Sequence, residues 1–204
     1  MTLTQTLSGK GGNMAVNKTD KAASPKKAVK KTAVELKLDI ACGQNKREGF
    51  MGVDIAPGEG VDIVHNLDEY PWPFKANSVS EVNISHYIEH VTDLIEFMNE
   101  LWRIMKPGAL CTIVAPYYSS MRAWQDPTHV RAISEATFLY FNQDWLKSNK
   151  LNHYPIKADF DFSYGYSITP EWQNRNEEAR NFAIRHYINV VNDIQVVLTK
   201  RESS

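Results

Sequence analysis

Between Leu36 and Ile55 two short apolar runs stand so close together that little more than a turn can join them. The first, Leu36-Lys37-Leu38-Asp39-Ile40-Ala41-Cys42-Gly43-Gln44-Asn45, reads as a strand that ends in an acid and a glycine-containing turn. The second, Gly52-Val53-Asp54-Ile55, is a strand that ends in another acid. Backbone N–H groups at such a turn can hold an anionic or polar ligand, and an acid on the next strand tip is placed to accept hydrogen bonds from ribose hydroxyls. An ordinary strand–turn–strand is the competing reading. Only residues 43–49 separate the first two strands, and only 56–60 lie before a third at 61–65. A parallel crossover normally takes about a dozen residues or more. Either these crossovers are trimmed, the first to at most one helical turn, or the third strand is not parallel.

The rest of the chain supports a layered α/β domain. Residues 1–33 hold no aromatic residue and no apolar period. Lys10, Lys18, Lys21, Lys26, Lys27, Lys30 and Lys31 there face a single acid, Asp20, which predicts a disordered Lys-rich tail before a domain spanning 34–204. Further strands are expected near 80–85 and 109–116, with β-rich stretches near 156–168 and 189–200. Residues 93–105 carry a helical apolar stripe with a capping-box pattern at Asp93 and Glu96, and Lys106-Pro107-Gly108 is expected to stop the helix. A second helix is expected from the cap Ser134 to about Leu146, and the 170–187 segment should be helical in part. A net charge of −1 over 204 residues argues against a nucleic-acid coat. No run reaches membrane-spanning length and no apolar leader is evident. Cys42 and Cys111 show neither metal nor disulfide spacing. A cytoplasmic location is expected.

Five pieces in order then resemble a known family: Leu38-Asp39-Ile40-Ala41-Cys42-Gly43, Val53-Asp54-Ile55, Asn66-Leu67 before Pro71-Trp72-Pro73-Phe74, Ser85-His86-Tyr87-Ile88-Glu89-His90, and Lys106-Pro107-Gly108-Ala109 leading into a strand. The chain is similar to class I S-adenosylmethionine-dependent methyltransferases, and more narrowly to compact bacterial and phage-type members. The resemblance implies an α/β Rossmann-like sheet, mostly parallel with an antiparallel last strand and with the first two crossovers shortened. It implies S-adenosyl-L-methionine as cofactor. Asp39 and the turn Ala41, Cys42, Gly43 would hold its methionine end and Asp54 its ribose. Asn66 and Leu67 would meet the adenine, and Ser85 and His86 would close over the sulfonium. Ala41 and Asn45 stand where motif glycines are usual, and Asn66 where an acid is commoner. A nicotinamide dinucleotide is disfavoured, since G-x-G-x-x-G and its full helix are missing.

His86-Tyr87-Ile88-Glu89-His90 matches the H-x-x-E-H zinc pattern. That pattern needs a helix beneath it, whereas this pentad sits between a strand and a helix cap. No metal is therefore expected, and Glu89 and His90 read as packing and turn residues. The loop after the fifth strand, 117–131, is dense in aromatic and polar side chains and lies where α/β sheets bind ligands. Within it His129 is a candidate general base with Asp126 orienting it. Tyr117, Tyr118 and Trp124 are candidate walls for the acceptor, and Arg131 could hold an anionic group. The alternative makes Asp126 a turn cap, His129 a satisfied buried histidine and the aromatics core. For Trp145, His153, Tyr154, Tyr164, Tyr166 and Trp172, which could line the far side of the pocket, packing is the expected role for most. The expected function is methyl transfer to an oxygen or nitrogen of a small molecule, a sugar among the options. Two rivals stay open: a cofactor-binding module without turnover, and a nucleic-acid methyltransferase anchored by the tail. No Asn-Pro-Pro-Tyr-like tetrapeptide follows the fourth strand, which weakens the second.

Overall fold

The computed structural model describes residues 35–202; the expected tail at 1–33 lies outside them. The strands β1 (Leu36–Ile40), β2 (Met51–Asp54), β3 (Ile63–Val64), β4 (Val79–Ser85), β5 (Met105–Pro116), β6 (Phe160–Ile168) and β7 (Val191–Lys200) form one sheet in the order β3-β2-β1-β4-β5-β7-β6. The pairings among β1 to β5 are parallel, and β7 inserts antiparallel between β5 and β6. β3 runs parallel to β2, so the crossovers are indeed trimmed.

Hydrogen bonds and one glycine hold these connections in place of helices. Cys42 N–H donates to Val53 O, closing the first turn on β2. The Asp62 carboxylate accepts from Gly52 N–H at 2.7 Å and Lys46 Nζ at 2.8 Å, and its acidity is raised by those donors, Lys46 first. A Cβ on Gly52 would stand 2.2 Å from the Gly60 carbonyl oxygen and 2.8 Å from Cys42 Sγ. Only glycine lets the two connections stack this closely.

Helix α1 (Leu94–Ile104) begins where Asp93 accepts from Glu96 N–H at 3.0 Å, which is the first half of the expected box. It ends at Ile104, before Lys106-Pro107-Gly108, and β5 starts at once with Met105. The expected stop Lys106-Pro107-Gly108 follows directly on the C-cap Met105, and Pro107 and Gly108 (φ 75°) also occupy a register shift between the Met105 and Leu110 pairings. The helix expected over 134–146 is different. Residues Glu135–Phe141 form a 3-10 turn run with a Ser134–Thr137 capping box, and α3 begins only at Gln143 (Gln143–Ser148). Asn142 divides them, since its carbonyl side chain accepts from Trp145 N–H and its amide donates to Phe160 O. Short helices α2 (Arg122–Gln125), α4 (Pro170–Gln173) and the longer α5 (Glu177–His186) complete the described elements.

Strand alternation puts Ala109, Cys111, Ile113 and Ala115 of β5 in the core with Ile194, Val196 and Leu198 of β7. Phe97, Met98, Leu101 and Ile104 of α1 belong to the same buried cluster. The opposite face follows from the register: Lys37, Glu81, Leu110 and Thr199 form one row, and Asp39, Asn83, Thr112 and Val197 the next. Among the described residues, no helix is long and apolar enough to cross a membrane.

Candidate active site

The carboxyl ends of β1, β2 and β4 meet at one edge. Asp39, 3% exposed, has both oxygens engaged: one accepts from Arg47 N–H at 2.6 Å, the other from Asn83 Nδ2 at 2.7 Å. It therefore fixes the loop that follows β1. Ala41 (φ 53°) and Gly43 (φ 54°) both adopt the left-handed conformation, which carries the chain around the strand end. Asp54 ties the two strand tips together, accepting from Gly43 N–H and from Ile55 N–H, each at 2.8 Å. Burial and the nearby Asp39 and Asp54 push the Cys42 thiol up, so it stays protonated. Asn66 accepts from Asp68 N–H and donates to Glu69, an Asx turn. Leu67 is buried, and its carbonyl accepts from Trp72 Nε1 at 3.0 Å. Ser85 ends β4, and His86 follows it at φ 52° with its N–H on Val114 O.

Directly beyond β4 and β5 lies a pocket of about 190 Å3 lined by His86, Glu89, His90, Arg122, Asp126 and His129, with Pro116 and Gln125 completing it. The H-x-x-E-H pentad forms no helix of its own, as its position implied; Ile88–His90 is a single 3-10 turn. The 117–131 loop is strapped across that turn. Val130 N–H donates to Glu89 O, and the Arg131 guanidinium donates to Val91 O and Thr92 O, both at 2.7 Å. The strap brings His129 to Glu89 and stacks it edge-on to His90, with ring centroids 4.7 Å apart. The His129 Nδ1 partner is the Ala123 carbonyl, which can only accept, so Nδ1 carries a proton and, in the neutral ring, the lone pair is on Nε2. Asp126 does not orient this ring through Nδ1; one of its oxygens takes Thr128 N–H and hydroxyl, and the other lies 3.9 Å from Nε2. Those Thr128 hydrogen bonds hold its carboxyl below the usual carboxylate range. The Glu89 carboxylate, with Oε1 3.5 Å from Nδ1, raises the basicity of His86.

The aromatic candidates separate into two groups. Tyr117 is 2% exposed, packs on Tyr118 and Tyr166, and donates to Glu135, which is a core role. Trp124, 70% exposed, donates its Nε1–H to Tyr118 O at 3.0 Å, and Tyr118 and Met121 of the same loop are exposed with it. Glu89, His90 and Arg122 are pocket residues that sequence reasoning set aside or passed over. The signal for the first two was the pentad itself, read as helical or nothing.

Residues 38–113 match the family model described as a methyltransferase domain. The matched stretch runs from β1 into β5 and includes the strand edge at Asp39, Gly43 and Asp54. The sheet order and the single antiparallel strand are those of solved methyltransferase folds. A SAM-dependent methyltransferase of Archaeoglobus fulgidus is similar at 21% identity and TM-score 0.58, over 81% of this chain and 86% of that one. The YcgJ protein of Bacillus subtilis aligns at 15% identity and TM-score 0.50, over 83% and 94%. A SAM-dependent methyltransferase of Thermotoga maritima aligns at 14% and 0.50, over 82% of each chain. At these identities the likeness is one of fold. No protein of curated function matches the chain by sequence. The Archaeoglobus and Thermotoga proteins are both described as dependent on S-adenosylmethionine. The strand edge of this chain fits that group: nothing lies within 4 Å of a Cβ built on Gly43, so the backbone there is open to close approach, and Asp54 Oδ2, which accepts from Gly43 N–H, keeps a second lone pair.

Proposed function

We propose that this methyltransferase transfers a methyl group to an oxygen or nitrogen of a small polar molecule, a sugar hydroxyl among them, bound over the pocket beyond β4 and β5. One observation carries the reading. The pocket starts at His86, the residue next after β4, and is lined by Arg122, Gln125, Asp126 and His129 of the same loop that exposes Tyr118, Met121 and Trp124. A volume of about 190 Å3 suits one functional group of an acceptor.

Bound S-adenosylmethionine supplies a methyl group on a sulfonium that is already electrophilic. The chain's task is to align the acceptor and to take its proton. Asp54, Gly43 and the 41–43 turn are the proposed cofactor holders, with Asn66 and Leu67 at the adenine end and Ser85 and His86 at the reacting end. Asp39 is proposed to act through the loop it braces. His129 Nε2 is the proposed base, because its lone pair faces the pocket while Ala123 fixes the ring. Asp126 steadies the charge that forms on it from 3.9 Å. Arg122, paired with Asp193 at 2.6 Å, is the guanidinium that faces the acceptor; the Arg131 guanidinium is committed to the strap.

A screen of polar acceptors for uptake of labelled methyl tests the reading. Transfer to a small molecule is expected, and His129→Ala should slow it by about 100-fold or more while cofactor affinity stays within about twofold. Unchanged turnover removes His129 from the mechanism. Transfer only to nucleic acid, or none with cofactor binding intact, replaces the small-molecule reading with one of its rivals.

A further inference from the structure

The geometry points to a divalent transition-metal site made by Glu89, His90 and His129, three residues brought together at the floor of the pocket. One ligand atom from each lies within 4.8 Å of the others. Glu89 is 2% exposed, and neither carboxylate oxygen has a hydrogen-bond partner among the described residues. A buried carboxylate in that state demands a positive charge close by.

Each of the two imidazoles has its Nδ1 tied to the loop. His129 Nδ1–H is anchored on the Ala123 carbonyl at 3.1 Å, leaving Nε2 as a lone-pair donor. For His90, the Thr128 hydroxyl is the partner of Nδ1 at 3.1 Å, and that hydroxyl donates its own proton to Asp126 at 2.6 Å. It can therefore only accept from His90 Nδ1–H, and His90 Nε2 is also left with its lone pair. Metal-binding histidines are held in this way, by the ring nitrogen that does not meet the ion. The two anchors belong to the strapped loop, so the strap sets both rings at once.

The spacings distinguish an ion from a shared proton. Oε1 of Glu89 lies 4.0 Å from His129 Nε2, and Asp126 Oδ2 lies 3.9 Å from the same nitrogen. Both are too long for a hydrogen bond. Two ligands each about 2.1 Å from one ion stand about 3.4 Å apart when tetrahedral and about 4.2 Å apart when opposite. The His129 lone pair and Glu89 Oε1, 4.0 Å apart, fall within the span that two ligands of one such ion can have. Across the Glu89 carboxylate, His86 Nδ1 sits 3.5 Å from Oε1, nearer than His129, and is the basic group that would substitute as a counter-charge. Two imidazoles and a carboxylate select an ion of the manganese-to-zinc series over magnesium or calcium, which favour oxygen ligands. Open coordination positions would face the pocket, where water or the acceptor's oxygen completes the shell. Only that last ligand depends on the proposed acceptor. With an ion bound, His129 is a ligand, and the ion, by acidifying a bound hydroxyl, takes over the task proposed for His129 as base.

The test reads metal binding alone. The tag-free full chain, stripped with chelator and titrated with Co2+, should bind one equivalent with visible d–d absorption, and Zn2+ should displace it. Glu89→Gln should weaken Co2+ binding at least about 30-fold with the near-ultraviolet circular dichroism retained, and His186→Ala, an exposed histidine elsewhere, should leave it unchanged. If Glu89→Gln does not fold, His90→Ala, at a half-buried position, carries the same expectation. Absence of stoichiometric binding overturns the site and leaves the His86–Glu89 ion pair as the resolution of the buried charge. So does binding that survives Glu89→Gln, or that falls equally in His186→Ala. A chain that binds Co2+ yet methylates no small molecule keeps the metal site and loses the acceptor reading, and the converse result does the reverse.

Discussion

At the scale of single residues, Asp54 is where the fold and the proposed cofactor contact would place competing demands on one carboxylate. Its oxygens already accept from Gly43 N–H and Ile55 N–H, so it holds the β1 and β2 tips in register before any ligand arrives. Ribose hydroxyls would use the lone pairs that remain. Asp54→Ala removes both functions, and Asp54→Asn keeps one acceptor oxygen. S-adenosylmethionine or its demethylated product should raise the melting temperature of the parent chain. That rise should disappear almost wholly in Asp54→Ala and survive in part in Asp54→Asn. An undiminished rise in Asp54→Ala, measured by calorimetry, would remove Asp54 from the cofactor site. Asp39 shows the limit of reading such positions from sequence. Its place at the end of β1 was legible, but its engagement by Arg47 N–H and Asn83 depends on a loop conformation and on a strand neighbour 44 residues away.

Among the elements, α1 does more than cover the sheet; it grips the connection that leads from β3 to β4. Glu100, 5% exposed, accepts from Trp72 N–H at 2.6 Å and from Arg103 through both oxygens. Arg103 in turn donates to Trp72 O and Phe74 O, and Trp72 packs edge-on to Phe97 at 5.2 Å. Glu100→Ala leaves Trp72 N–H and a partly buried guanidinium without their acceptor, so it should cost about 2–4 kcal/mol. Glu100→Gln keeps an acceptor for Trp72 and should cost about half as much; equal losses in urea denaturation would show that the peptide contact is unimportant. The stripe of α1 was legible because its apolar spacing is helical over three turns. The strands from β1 to β5 were legible as short apolar runs. The 3-10 run at Glu135–Phe141 was not, since its aromatic-rich sequence fits either helix type and the choice falls to Asn142 and its bond to Phe160. The pocket was half legible. His86, Asp126 and His129 were singled out, but Glu89 gains its meaning only when residues from 126 to 131 are tied across the 3-10 turn, and no spacing in the chain encodes that contact.

Over the whole molecule, the last strand is locked to the first half of the domain by one ammonium group. Lys200, 3% exposed, donates to Asn77 Oδ1 at 2.6 Å, Trp102 O at 2.7 Å and Met105 O at 2.8 Å, with its charge 4.3 Å from the Trp102 ring centroid. It thus joins the end of β7 to the approach to β4, the last turn of α1 and the start of β5. Burial lowers its pKa to about 8, against about 10.4 in an unfolded chain. Between those values the unfolded chain binds more protons than the folded one, so this group's contribution to stability rises with pH. Below about pH 8 both states are charged and the burial penalty is present in full; it is relieved as pH climbs toward 10. Against a Lys200→Met background, the parent chain should gain on the order of 1–2 kcal/mol between pH 8 and 10. The variant should be the less stable at pH 7, because Trp102 O and Met105 O lose their donor in the core. Parallel urea midpoints for the two chains across this range would show that Lys200 keeps an ordinary pKa and that its three acceptors offset the burial of the charge.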